Sequence, residues 1–423
     1  MMHSKGESAL NTLKRCTRCQ LPQTYPGITF DAQGVCNLCR TVRQDTPYLG
    51  LEALREKTAH ILAGKASRRY DAAVAFSGGR DSTYLLHFAK EVLGLNVLAV
   101  SLYHRFMPEE TSRTIREICA TLGVDLHIIP NPALDECSTR CVKAWARKPE
   151  AASLVTFCTG CRYGIKRLIP EYCRQEGIPL LLVGNTRMEQ MSYRQDLMSV
   201  NRRKPSTVNK AIGYLHTLAR NPGLLGSPKC ACVQAYEFGY PLARKLIRNR
   251  QVTVLAPFRD YVFVPDKERT ALLSQLNWQH NPRFQAEWRA DCYVNLLRQY
   301  FYQKLLGFND LDVQYAELLR TGDITLPQAL SRLSADKCSD DAAIAEILLK
   351  TTACSSGTCW IGCLPNADNR SADFPSCESA AIKTGQPLHG SPSGPFSYAT
   401  GFTAPPEAAL PAFPGSASQR RCR

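Results

Sequence analysis

The chain has 423 residues, 44% of them hydrophobic and 21% charged, which is enough apolar material for more than one core and excludes wholesale disorder. Lys and Arg number 52 against 37 Asp and Glu, and the net charge of +15 favours anionic partners (nucleotides, sugar nucleotides or nucleic acid) without choosing among them. No apolar run approaches the roughly 20 residues that span a bilayer, and Met1–Glu7 has no apolar stretch of signal type. A cytoplasmic protein with no membrane insertion is therefore expected.

Nineteen cysteines are many, but the count is odd and the chain long, which argues against a small disulfide-stapled fold. Cys16-x-x-Cys19 and Cys36-x-x-Cys39 are separated by 16 residues that contain the turn signals Pro26-Gly27 and Gln33-Gly34. Two such knuckles close a tetrahedral four-thiolate site. Residues 14–45 are accordingly predicted to be a zinc ribbon with structural Zn²⁺ and no open coordination position.

Residues 50–265 alternate β-rich runs with helical stretches. The predicted strands are Ala72–Phe76, Asn96–Leu102, Asp125–Pro130, Ile178–Val183 and Val252–Ala256, with helices at Ser82–Leu93, Thr111–Leu122 and Tyr163–Gln175. This order predicts an α/β fold with a doubly wound, five-stranded parallel sheet, whose ligands bind beyond the carboxyl ends of the strands. At the end of the first strand stands Ser77-Gly78-Gly79-Arg80-Asp81-Ser82, followed at once by a helix. Two glycines let the backbone turn sharply and present N–H groups to an anion, and the helix N-terminus adds its own donors and dipole. Ser77 and Ser82 supply hydroxyls. Asp81 would repel a bare phosphate, so it points to Mg²⁺ shared between carboxylate and pyrophosphate. The loop is too short for a Walker A motif and has no Lys at the required place.

Further along, Cys158-x-x-Cys161 precedes a helix and Cys230-x-Cys232 precedes the fifth strand; an iron–sulfur cluster, zinc and free thiols all remain open there. Arg194, Arg202, Arg203 and Lys204 form a basic stretch between strands four and five, suited to tRNA backbone, to a nucleotide-sugar pyrophosphate or simply to solvent. Residues 266–350 read as a C-terminal helical segment: Leu296, Leu297, Tyr300, Phe301 and Leu305 share a helix face, and Pro327 opens a further helix. Residues 351–423 hold nine of the 26 prolines and five cysteines without metal spacing, and are expected to be a disordered tail.

Ser77–Ser82 resembles the SGGxDS loop of the PP-loop ATP pyrophosphatase superfamily, with Arg80 where Lys is common. The resemblance implies that Ser77, Gly78, Gly79, Arg80, Asp81 and Ser82 hold the β,γ-pyrophosphate of ATP. It also implies that Ser101, near the end of the second strand, lies by the adenine and that Gly184 lets the backbone approach ATP. Asp81 and Ser82 would act in catalysis, while Arg187 and Glu189 would face the substrate. Such enzymes cleave ATP to AMP and pyrophosphate to activate a substrate oxygen.

The wording of Cys16–Cys39, with Gly307-Phe308-Asn309-Asp310 and Leu319–Leu330, resembles the N-acetyl sugar amidotransferases of surface-polysaccharide synthesis. In that family a nucleotide-activated N-acetyl sugar is adenylated and ammonia from a partner glutaminase displaces AMP. The chain departs from the family in having Gly184-Asn185-Thr186 where Gly-Glu-Asn is usual, and in its mid-chain cysteines. Those resemble the tRNA thiolases, sulfurtransferases of the same superfamily; the likeness implies a [4Fe–4S] cluster on Cys158, Cys161 and either Cys230 or Cys232. A non-catalytic zinc protein that binds nucleic acid with its basic surface is the third reading.

Overall fold

Runs as apolar as Ala72-Ala73-Val74-Ala75 and Leu180-Leu181-Leu182-Val183 have no polar face to give to water, so they are stable only with both faces covered. The computed structural model describes residues 13–41, 47–63, 69–189, 192–198, 207–238, 252–279, 291–335 and 341–352. Strands β1 (Ala72–Ala75), β2 (Val97–Tyr103), β3 (Asp125–Pro130), β4 (Leu180–Val183) and β5 (Thr253–Leu255) form one parallel sheet in the order β3-β2-β1-β4-β5. Ala72, Val74, Ala99, Leu180 and Leu182 face one core, and Ala73, Val100, Leu181 and Val183 the other. The strand ends differ from expectation by one or two residues. Ile178, expected in β4, instead donates its N–H to the Cys173 carbonyl at 2.8 Å, closing the preceding helix.

The helices used below are α1 (Leu51–Leu62), α2 (Arg80–His87), α3 (Glu109–Leu122), α4 (Pro132–Arg147), α5 (Pro228–Phe238), α6 (Asp266–Gln275), α7 (Tyr293–Leu306) and α8 (Asp310–Thr321). Among the described residues no helix is long and apolar enough to cross a membrane. Helix α4 was not expected, although Leu134, Cys137, Cys141, Val142 and Trp145 make a buried stripe at helical spacing and Asn131 caps it through the Leu134 N–H at 3.1 Å.

A third core lies away from the sheet. It joins Cys16, Leu21 and Tyr25 to Trp145 and Phe157 and to Leu297, Tyr300, Phe301 and Phe308. The N-terminal cysteine segment and the C-terminal helices, far apart in sequence, therefore share one interior. Arg15 Nη1 pairs with Asp312 at 3.0 Å and Arg15 Nη2 donates to the Gly307 carbonyl, also at 3.0 Å. At its centre Asp310, 0% exposed, holds Arg298 at 3.0 Å and Gln299 Nε2 at 2.8 Å, and also pairs with Arg194 and Tyr193. Arg194, expected in a basic surface loop, is thus an internal cation. Breaking a buried ion pair by removing one partner costs about 3–5 kcal/mol. Asp310→Ala should show a loss of that order in a denaturant titration; a loss below about 1 kcal/mol would show that the buried pairs contribute no more than surface ones.

The tail expected at 351–423 lies outside the described residues beyond Thr352, as do Arg202, Arg203, Lys204 and the side chain of Glu189.

Candidate nucleotide site and cysteine centres

The sheet order has a consequence for where a ligand can sit. From β1 the chain runs outward through β2 and β3, then returns to place β4 and β5 on β1's other side. The connections leaving β1 and β4 therefore diverge, and the crevice between them is the usual ligand position in such sheets. The Ser77–Ser82 loop leaves β1 there. Gly78 has φ +77°, and a Cβ on it would stand 2.7 Å from Ile115 Cγ1 of α3. Gly79 caps α2, its N–H donating to Ser77 Oγ at 3.3 Å; Ser82 Oγ donates to the Gly79 carbonyl at 3.0 Å and lies 3.3 Å from Ser77 Oγ. The Trp278 indole N–H donates to the Gly78 carbonyl at 2.8 Å, tying down the loop's outer side. The result is a turn with its carbonyls engaged and its N–H groups at a helix N-terminus, an arrangement that binds anions.

The charged residues of the motif are engaged with other partners. Arg80 is 5% exposed; its guanidinium is 3.2 Å from Asp266 Oδ1 and donates to Thr270 Oγ1 at 2.9 Å. Burial disfavours the Asp266 anion, but Arg80, Arg332 and Arg269 outweigh that and hold its carboxyl below the usual range. Arg80 thus anchors α2 to α6. Asp81 Oδ1 is 2.9 Å from Arg269 Nε, close enough for an ion pair although the N–H is not aligned for a hydrogen bond. Gly184, at the end of β4, packs on the backbone of α2: a Cβ there would lie 3.3 Å from Asp81 C and O and from Ser82 N. Its lack of a side chain serves the approach of β4 to the loop. Ser101 is 2% exposed, one strand over. Arg187 donates to the Arg259 carbonyl at 2.7 Å and lies 3.8 Å over the Tyr48 ring, holding loops together.

The N-terminal quartet comes together. The ligand atoms of Cys16, Cys19, Cys36 and Cys39 all lie within 4.8 Å of one another. Cys16 and Cys39 sulfurs are 3.9 Å apart, and those of Cys19 and Cys36 3.7 Å. Thiolates at the ordinary zinc–sulfur distance in a tetrahedron stand about 3.8 Å apart, so the cage has the size a zinc ion needs. The backbone N–H groups of Arg18, Cys19 and Cys36 point at Cys16 Sγ at 3.4, 3.4 and 3.3 Å, and Arg320 Nη1 approaches Cys19 Sγ at 3.6 Å; all of these donors favour thiolates.

The mid-chain cysteines divide differently from expectation. Cys230 is buried against Cys137 and Cys141 of α4, with Gln234 Nε2 3.2 Å from its sulfur, and Cys232 is exposed. Neither is grouped with Cys158 and Cys161. Helix α5 meets the CxxC turn through Glu237, which pairs with Arg162 at 2.7 Å; Cys230, seven residues earlier, stands about 10 Å further along the helix. The residue that does approach the turn is Cys292, the N-cap of α7. Burial, then Cys158 and Asp291, push the Cys161 thiol up to about 12. Burial, Asp291 and Cys158 likewise raise Cys292. Arg298 Nη1 reaches Cys158 Sγ at 2.8 Å. Gly160 is small by necessity, since a Cβ there would be 2.4 Å from Leu134 Cα. Arg269, Trp278, Asp291 and Cys292 were not legible as site residues, because no local spacing connects them to the loop.

Residues 51–219 match the family model described as the PP-loop domain. An uncharacterized protein of Methanocaldococcus jannaschii is 28% identical over 118 residues, which are 27% of this chain; the chain spans 42% of the length of that relative. Among solved structures, an NMN synthetase of Francisella tularensis has TM-score 0.33 at 12% identity, covering 67% of this chain and 91% of that one. The U34-tRNA thiolase NcsA of Methanococcus maripaludis, solved with its [4Fe–4S] cluster, has TM-score 0.30 at 14% identity, covering 78% and 93%. An NH3-dependent NAD synthetase of Campylobacter jejuni has TM-score 0.24 at 13% identity, covering 46% and 96%. Sheet order, loop and family match coincide on the same stretch, and residues 51–219 are similar to the PP-loop domain.

Proposed function

We propose that the protein is an adenylating enzyme that activates the acetamido oxygen of a nucleotide-linked N-acetyl sugar for replacement by nitrogen. The observation that carries ATP use is the Ser77–Ser82 turn at the sheet's switch point within the matched PP-loop domain. The acetamido oxygen attacks the α-phosphorus, and pyrophosphate departs toward the loop N–H groups; Mg²⁺, when bound at the loop carboxylates, would supply further neutralisation of its charge. Ammonia, supplied by a glutaminase partner, then adds to the activated carbon; AMP leaves with the bonding pair and an acetamidino group remains. The sugar reading rests on the resemblance of two stretches, Cys16–Cys39 and Gly307–Leu330. The two stretches pack together, with Tyr25 and Phe308 ring centroids 5.5 Å apart.

Incubating the protein with ATP, Mg²⁺, ammonium and a panel of nucleotide-linked N-acetyl sugars should give AMP and pyrophosphate in equal amounts, only when an acceptor is present. Nucleotide binding without AMP release on any acceptor would remove the sugar reading and leave the ATP domain.

One observation favours a second reading, sulfur insertion into tRNA or a small molecule. Cys158, Cys161 and Cys292 approach one another, and Asp291, adjacent to Cys292, lies beside Gly79. Three thiolates with Arg298 beside them suit a [4Fe–4S] cluster, whose ligands bind separate irons. Such a cluster would supply an iron for sulfide. Iron and acid-labile sulfide in anaerobically purified protein, lost in Cys292→Ser, would support this reading; an iron-free protein making AMP with ammonia would exclude it.

A further inference from the structure

We infer that Asp291, rather than the motif residue Asp81 alone, supplies the carboxylate that holds Mg²⁺ on the nucleotide; this rests on the reading of Ser77–Ser82 as an ATP site. The loop's own charges are already balanced. Arg80 is neutralised by Asp266, and Asp81 by Arg269, a guanidinium 5% exposed on its side chain and 2.9 Å away. Asp291 comes to the same loop from 210 positions down the chain (291 minus 81). Its Oδ2 lies 4.0 Å from the point a Cβ on Gly79 would occupy, a point that Ser77 Oγ flanks at 3.3 Å. The carboxylate and the hydroxyl therefore border the same side of the turn, at the start of α2, where phosphate oxygens would be received. A carboxylate there repels a metal-free triphosphate. It becomes favourable only when a hard cation stands between the two anions, and Mg²⁺ is bound in this way, through one or two carboxylates plus substrate phosphates. Asp291 directly precedes α7, whose N-cap Cys292 is half-buried and whose Tyr293 N–H donates to the Phe106 carbonyl at 3.0 Å, so its backbone is anchored.

The test is binding of a non-hydrolysable ATP analogue by calorimetry, with Mg²⁺ or with EDTA, to wild-type, Asp291→Asn and Asp81→Asn protein. Electron paramagnetic resonance of Mn²⁺ counts the bound metal. In the wild type, Mg²⁺ should strengthen binding by about tenfold or more. Asp291→Asn should abolish that enhancement and the nucleotide-dependent Mn²⁺ signal, while metal-free binding is equal or tighter because a repulsive charge has gone. Asp291→Glu should restore part of the metal response, which a merely structural role would not. An unchanged Mg²⁺ response in Asp291→Asn, with its loss in Asp81→Asn, overturns the inference and leaves the ATP reading standing. Absence of any nucleotide binding by the wild type removes both.

Discussion

Alanine in place of Gly78 should lower ATP-analogue affinity by at least about 100-fold while the protein still folds. Two costs coincide there. The φ of +77° is one that a side chain adopts at about 1–2 kcal/mol, and the added Cβ would stand 2.7 Å from Ile115 Cγ1 and 3.5 Å from Thr111 Cγ2. Ile115 is 2% exposed in the sheet's core and cannot turn into solvent, so the loop backbone must move instead. The N–H groups that would receive phosphate move with it. Gly322→Ala is the control: it has φ +76° with nothing within 4 Å of its Cβ, so it should cost about 1 kcal/mol and leave nucleotide binding intact. Calorimetry and thermal melts separate the two. Equal affinity in Gly78→Ala and wild type would mean the turn does not receive the nucleotide.

The second large effect is expected at the cysteine quartet. Protein prepared without chelators should carry one zinc per chain, and Cys36→Ser should lose it together with about 10 °C or more of thermal stability. The size follows from where the quartet sits. Cys16, Cys19, Leu21, Tyr25 and Cys36 belong to the core that also contains α7 and Phe308, and Arg15 and Arg320 connect the segment to α8 and its neighbours. Releasing the metal leaves buried thiols without their shared cation and loosens one wall of that core. Elemental analysis and melting curves of the two proteins check this; a zinc-free wild type that melts with the variant would refute it.

Much of the architecture was readable from order alone. Period-free apolar runs followed by helices announce buried parallel strands, and the five strands formed where such runs occur, with ends shifted by a residue or two. The cysteine spacing likewise announced its cage, because two CxxC knuckles preset the geometry of each pair locally. Helix α4 is less legible although its buried stripe is present, since strand–helix repetition requires only some helix after β3 and does not set its length.

The contrast lies in sequence distance. Local order determined the glycine turn that follows β1, the sheet class and the N-terminal thiol cage, because each depends on residues within a few positions or on a pattern that any strand or knuckle repeats. Tertiary structure alone decided that Arg80 turns away to Asp266, 186 positions on, that Cys158 meets Arg298, 140 positions on, and that Cys292 rather than Cys230 approaches the CxxC turn. The reason is physical: a buried charge or thiol takes the partner that packing brings within a few ångströms, and no spacing in the chain encodes which distant segment that will be.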